Sequence, residues 1–113
     1  MEIVERKIGR ITIFNIQGQA MMSAQPERLS QMTRDRLQAG DRLFVINLSD
    51  CSRMDSTGLG ELVKSQRLIS DCEGILKLAK VPPPIRSIFS VTNFEQLIEI
   101  FESEQAAINS FGA

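Results

Sequence analysis

The sequence predicts an α/β fold: a mixed sheet of four to five strands with about four helices packed against it, in one domain spanning residues 1–113. Three observations carry that expectation. Short runs rich in Ile, Val, Thr and Phe alternate with longer segments of helical period, the pattern of strands joined through crossover helices. LFVINL, residues 43–48, is a compact β-branched and aromatic run of the kind found in a central buried strand. A chain of 113 residues also suits a single core, because dividing it would leave neither half with enough buried apolar surface to offset its ordering entropy.

Each element has a local reason. Residues 2–8 and 11–17 favour strands and are separated by Gly9 and Arg10, so they predict a hairpin whose second strand ends at Gly18. In that strand Ile11 and Ile13 alternate with Thr12, Phe14 and Ile16, which predicts a sheet covered on part of each face. Pro26 fits the first turn of a helix, with Ser23 or Gln25 just ahead; Leu29, Met32, Thr33, Arg36 and Leu37 share a face, and Gly40 is a stop. A loop is predicted from Ser49 to Asp55. From Thr57 to about Ser70, the positions Leu59, Leu62, Val63, Gln66 and Ile69 follow the helical period. Gly74 turns the chain into ILKLAK, residues 75–80, a short strand. PPPIRSIFSV opens a helix in which Ile85, Ile88 and Phe89 share a face. LIEIF, residues 97–101, reads as an edge strand, and Ser103 as the N-cap of a last helix through about Ser110.

Composition removes several functions. The chain has no His, and therefore no imidazole base, no His-dependent triad and no His metal ligand. Hydrophobic residues make up 42% and charged residues 24%, with a formal net charge of −1, so the basic excess of a nucleic-acid binder is missing. Cys51 and Cys72 are too few and too far apart for a zinc site and read as buried or idle thiols. The N-terminal MEIVERKIGR mixes charge with short apolar runs, unlike a signal peptide, and no window holds about 18 consecutive apolar residues. The expected location is the cytoplasm, without membrane insertion.

Chemistry concentrates in RMDSTGLGELV, residues 53–63, at a strand-to-helix junction where binding sites gather in open α/β sheets. In one reading Asp55, Ser56 or Thr57 caps the helix and the glycines serve the turn. A P-loop is not matched, because Glu61 rather than Gly-Lys-Ser/Thr follows the second glycine. A serine hydrolase is not matched either, since GxSxG is missing and no histidine can take the proton. Ser56 can instead serve as a phosphate acceptor, gaining roughly −1.5 to −2 charge at a helix end able to tolerate it. Gly58 and Gly60 let a partner's backbone come close.

FVINLSDCSRMDSTGLGEL resembles the signature region of the STAS domain found in bacterial anti-anti-sigma factors, the anti-sigma factor antagonists, and the resemblance covers nearly the whole chain. It implies a mixed sheet with packed helices and a regulator that is not an enzyme and holds no cofactor. It implies phosphorylation at Ser56, with Thr57 as second choice. The implied partner-binding surface comprises Met21, Met22, Met54, Asp55, Ser56, Thr57, Gly58, Leu59 and Gly60. The implied partners are an anti-sigma factor that is also a serine kinase of the histidine-kinase-like ATPase fold, using ATP and magnesium, and a PP2C-type phosphatase. Unphosphorylated, such a protein binds the anti-sigma factor and frees the sigma factor; phosphorylated, it lets go. Where many members carry an acid after the glycine closing the second strand, this chain reads GQAMM, with Met21 at that position; Met21 and Met22 are either an adaptable apolar contact or core residues. Two alternatives stand beside the switch: a non-switching STAS scaffold or accessory subunit of a larger assembly, and a small-ligand or nucleotide sensor.

Overall fold

A computed structural model describes residues 2–20, 25 and 27–112. The elements run β1 (Glu2–Ile8), β2 (Ile11–Ala20), α1 (Arg28–Gln38), β3 (Leu43–Asn47), β4 (Cys51–Met54), α2 (Ser56–Asp71), β5 (Ile75–Ala79), α3 (Pro83–Val91), a 3-10 turn (Phe94–Gln96), β6 (Glu99–Phe101) and α4 (Glu104–Asn109). Among the described residues the sheet has six strands in the order β1-β2-β3-β5-β6, with β4 joined to β2. β1 and β2 form the antiparallel hairpin, Ile8 opposite Ile11. All other pairings are parallel, so they require crossovers, which the helices supply.

The α/β class is the expected one, and the sheet exceeds four to five strands because the segment expected as a loop contains β4. Its sequence CSRM hid it: the two central residues, Ser52 and Arg53, are exposed and polar, and only Cys51 and Met54 face inward. Gly18 does not end β2 as expected. Its φ of +83° bends the strand, which continues to Ala20 and pairs with β4. α1 starts at Arg28 behind Glu27, whose φ is +66° and whose side chain makes no capping bond, so Gln25 is not its cap. Ser23 and Pro26, expected at that helix start, lie outside the described residues. The last strand is shorter than expected, because the 3-10 turn precedes it and leaves Leu97 63% exposed.

Side-chain alternation divides the core between two faces of the sheet. Phe14, Ile16, Phe44 and Ile46 pack beneath Leu29 of α1, Leu62 and Ile69 of α2, and Ile85 and Phe89 of α3. Ile11, Ile13, Val45 and Ala79 face the opposite way, under Ala107 and Ile108 of α4. Lys77 shares that second face and is buried, its ammonium 4.4 Å from the Phe111 ring centre and donating to Ser110 Oγ at 2.7 Å.

Two expected outcomes test this framework. A methyl group on Gly74 would stand 2.6 Å from Arg42 O and 2.8 Å from Ile69 Cγ2. Gly74→Ala should therefore destabilise the fold by about 1–3 kcal/mol in urea titration. Asp41 ties the hairpin to α1, accepting from Thr12 Oγ1 at 2.9 Å and pairing with Lys7 and Arg36. Burial pushes its carboxyl up, but the Lys7 and Thr12 hydrogen bonds and the Lys7 and Arg36 charges outweigh that and hold it below the ordinary 3.8. A depressed carboxyl contributes stability above its unfolded pKa and loses it as pH falls through the folded value. Urea midpoints should thus drop below about pH 4, and Asp41→Asn should flatten that acid limb.

Candidate functional site

β3 ends at Asn47, and the chain makes a tight turn over Leu48 to Asp50, where Cys51 N–H donates to Leu48 O at 3.0 Å, before running on in the direction of β2. β4 then runs alongside the end of β2, with Gly18 opposite Cys51 and Ala20 opposite Met54. Met54 is buried and anchors the strand end. The next residue, Asp55, has extended backbone (φ −91°, ψ 178°) and its Oδ1 accepts from Gly58 N–H at 2.7 Å. Of the three residues able to cap α2, Asp55 does so, and its own carbonyl accepts from Leu59 N–H at 3.0 Å.

Ser56 is consequently the first helical residue, one position earlier than expected, and is exposed. It stands among the first amides of the helix, which have no partners within it and carry a partial positive charge. Thr57 and Leu59 are half-buried and Gly58 is buried. Gly60 is exposed, with no heavy atom within 4 Å of where a Cβ would stand. Ser56 and Gly60 lie one helical turn apart, so the surface beside the hydroxyl is free of side-chain bulk at that point. Met21 and Met22 lie outside the described residues. No helix among the described residues is long and apolar enough to cross a membrane, and no group of three or more His, Cys, Asp or Glu there could hold a metal ion.

Sequence reasoning missed the role of Glu61. It is 5% exposed, and its Oε1 accepts from Ser30 N–H at 3.1 Å. Ser30 is the third residue of α1, the amide a side-chain cap ordinarily serves, so α2 caps α1 across the interface. Nearby, Thr33 Oγ1 donates to Ser65 Oγ at 3.2 Å and Lys64 Nζ to Glu27 Oε1 at 2.7 Å. The hydrogen bond and charge of Lys64 hold the Glu27 carboxyl below its ordinary value. The buried face of α2 therefore runs Gly58, Glu61, Leu62, Ser65 and Ile69, rotated from the apolar stripe toward α1. The i, i+4 placement of Glu61 and Ser65 was the available signal. Glu61→Ala should leave the Ser30 amide unpaired and cost about 1–3 kcal/mol in urea titration, whereas Glu61→Gln, which keeps a carbonyl acceptor, should cost less.

The STAS domain family model matches residues 2–107. BtrV of Bordetella bronchiseptica, named as a candidate anti-sigma factor antagonist, is 25% identical over 111 residues, covering 98% of this chain and 95% of its own. The crystal structure of a protein from Thermotoga maritima, described in the same way, superposes with a TM-score of 0.82 at 20% identity, covering 96% of this chain and 92% of that one. The anti-sigma factor antagonist SpoIIAA of Bacillus, in its unphosphorylated form, gives 0.75 at 18% identity, covering 99% and 100%. Its phosphorylated form gives 0.72 at 19%, covering 97% and 99%. The mixed sheet, the helix-opening MDSTGLG and a family match over nearly all of its length together mean that this chain belongs to the STAS domain family.

Proposed function

We propose that the chain, as one domain over residues 1–113, is a cytoplasmic anti-sigma factor antagonist whose docking is controlled by phosphate on Ser56. One observation carries this reading: Asp55 performs the capping, so the Ser56 hydroxyl is spared structural work and stands exposed at the helix start. The names of BtrV and SpoIIAA support the antagonist role, and the two solved forms of SpoIIAA support control by phosphate.

The partner proposed is an anti-sigma factor that is also a serine kinase of the histidine-kinase-like ATPase fold. In the forward step Ser56 Oγ attacks the γ-phosphorus of ATP held by that kinase. The new O–P bond forms as the bond to the ADP oxygen breaks, and the hydroxyl proton passes to a base on the kinase. A PP2C-type phosphatase reverses the state by hydrolysing the phosphoester with water. This chain is the substrate in both steps.

Phosphate brings roughly −1.5 to −2 charge next to the Asp55 carboxylate. The unpaired amides and dipole of α2 favour that charge within the domain, so the helix keeps its shape. A partner surface that had closed over Ser56 and the bare Gly60 would instead have to desolvate a dianion beside an acid. The outcome is loss of binding with little refolding.

Incubation with ATP and candidate kinases of the same genome, followed by intact-mass analysis, should show one phosphate, absent in Ser56→Ala. Ser56→Ala should still bind the kinase. Ser56→Asp should weaken association about a hundredfold, near 3 kcal/mol, while lowering fold stability by no more than about 1 kcal/mol, because Asp55 remains as the cap. An Asp variant that binds as tightly as Ala contradicts the electrostatic veto. Phosphate-free protein with every kinase tried favours a non-switching scaffold.

A further inference from the structure

Ser56 lies where β4 runs out beside the end of β2; the starts of the parallel strands form the opposite pole of the sheet. There, a cleft of about 360 Å³ opens between the β1–β2 turn and the end of α4. Ile8, Ile11, Leu43, Ile108 and Phe111 line it. Ile8 is 43% exposed, a large apolar side chain left against water. The volume falls within the range of small-molecule sites, about 300–1,000 Å³.

A second cleft of about 250 Å³ adjoins the first and shares Gly9, Arg10 and Leu43 with it. Its charged lining is Lys7, Arg10, Arg42 and Asp41, three cations to one anion. The Asp41 carboxylate is occupied by Lys7, Thr12 and Arg36, and Arg42 donates to the Leu37 and Asp41 carbonyls. Arg10 has no ion pair among the described residues and stands at the junction of the apolar and basic clefts.

An apolar slot continuous with a guanidinium that has no ion pair among the described residues fits a molecule with a hydrocarbon tail and a single anionic head. The guanidinium matches a carboxylate with two parallel donors, while the slot removes the tail from water. From this charge and shape complementarity we infer that the pole opposite Ser56 binds a free aliphatic monocarboxylate, its head on Arg10 and its tail between Ile8, Leu43 and Phe111. The site is separate from the phosphate-acceptor face, so it stands or falls independently of the switch.

The test is a titration of the intact, isotopically labelled chain with hexanoate, octanoate and decanoate below their aggregation limits, followed by amide NMR. Shifts should concentrate at Gly9, Arg10, Ile11, Leu43 and Gly112, and affinity should rise about fourfold for each methylene buried until the tail outgrows the cleft. Arg10 sits in an exposed turn, so Arg10→Gln keeps the fold; it should weaken octanoate about tenfold and leave octanol unchanged. Ile8→Ser, also on the rim, should weaken both. No shifts at millimolar carboxylate, an affinity independent of tail length, or an Arg10→Gln variant that binds octanoate like the parent would each overturn the assignment.

Discussion

The backbone amides and carbonyls of β2 need partners within the sheet, and the placement of the candidate functional end of the molecule follows from how they find them. β3 accompanies β2 only from Ile11 to Asn15, yet β2 goes on to Ala20. Residues 18–20 still offer ladder groups, and the chain leaving β3 takes them up after a tight turn, running parallel to β2 as β4. The bend at Gly18 lets one strand serve both partners. Because β4 is four residues long and ends on the buried Met54, the chain emerges at Asp55 with its direction already set, and α2 begins at once.

The start of α2 then separates two jobs that a helix terminus usually combines. Asp55 satisfies an otherwise unpaired amide through a 2.7 Å hydrogen bond. Ser56 is left exposed, with a hydroxyl that does not serve as the helix cap. Further along the same helix, Glu61 turns inward to hold the first turn of α1, and Ser65 meets Thr33 in the interior. The polar residues of α2 therefore fall into an outward set available for contact and an inward set that locks α1 in place. A buried carboxylate is costly unless paired, and here a backbone amide and the local positive end of α1 supply that pairing.

The opposite pole of the sheet has a different character. The region near Ser56 presents amides, hydroxyls and glycine, whereas the pole where β2 and β3 begin presents Ile8, Leu43 and Phe111 beside Arg10. The first is the surface proposed to take phosphate and a protein partner, the second the one inferred to take an amphiphilic small molecule. Lys77, buried beneath Phe111, steadies the C-terminal side of that second surface through Ser110 and the aromatic ring.

Much of this was legible in the residues. The hairpin, the central LFVINL strand, the cap at Ser103, the turn at Gly74 and the proline-opened α3 all rest on local chemistry: periodicity, β-branching, capping side chains and fixed proline φ. MDSTGLG marked the candidate site for the same reason, since glycine and hydroxyl residues are conspicuous against an apolar background. β4 was not legible, because four residues with exposed Ser52 and Arg53 carry no apolar run; it exists only because β2 has unpaired groups to offer. Nor could local sequence choose among Asp55, Ser56 and Thr57 for the cap, or place Glu61 and Ser65 inside, because a polar residue's burial depends on what waits across the interface. The sequence alone determined every element but β4 and the short 3-10 turn, and it placed the candidate face at the start of α2. Tertiary structure decided which hydroxyl remained in water and which carboxylate went inside, since hydrogen-bond partners distant along the chain come together only when the sheet and its helices assemble.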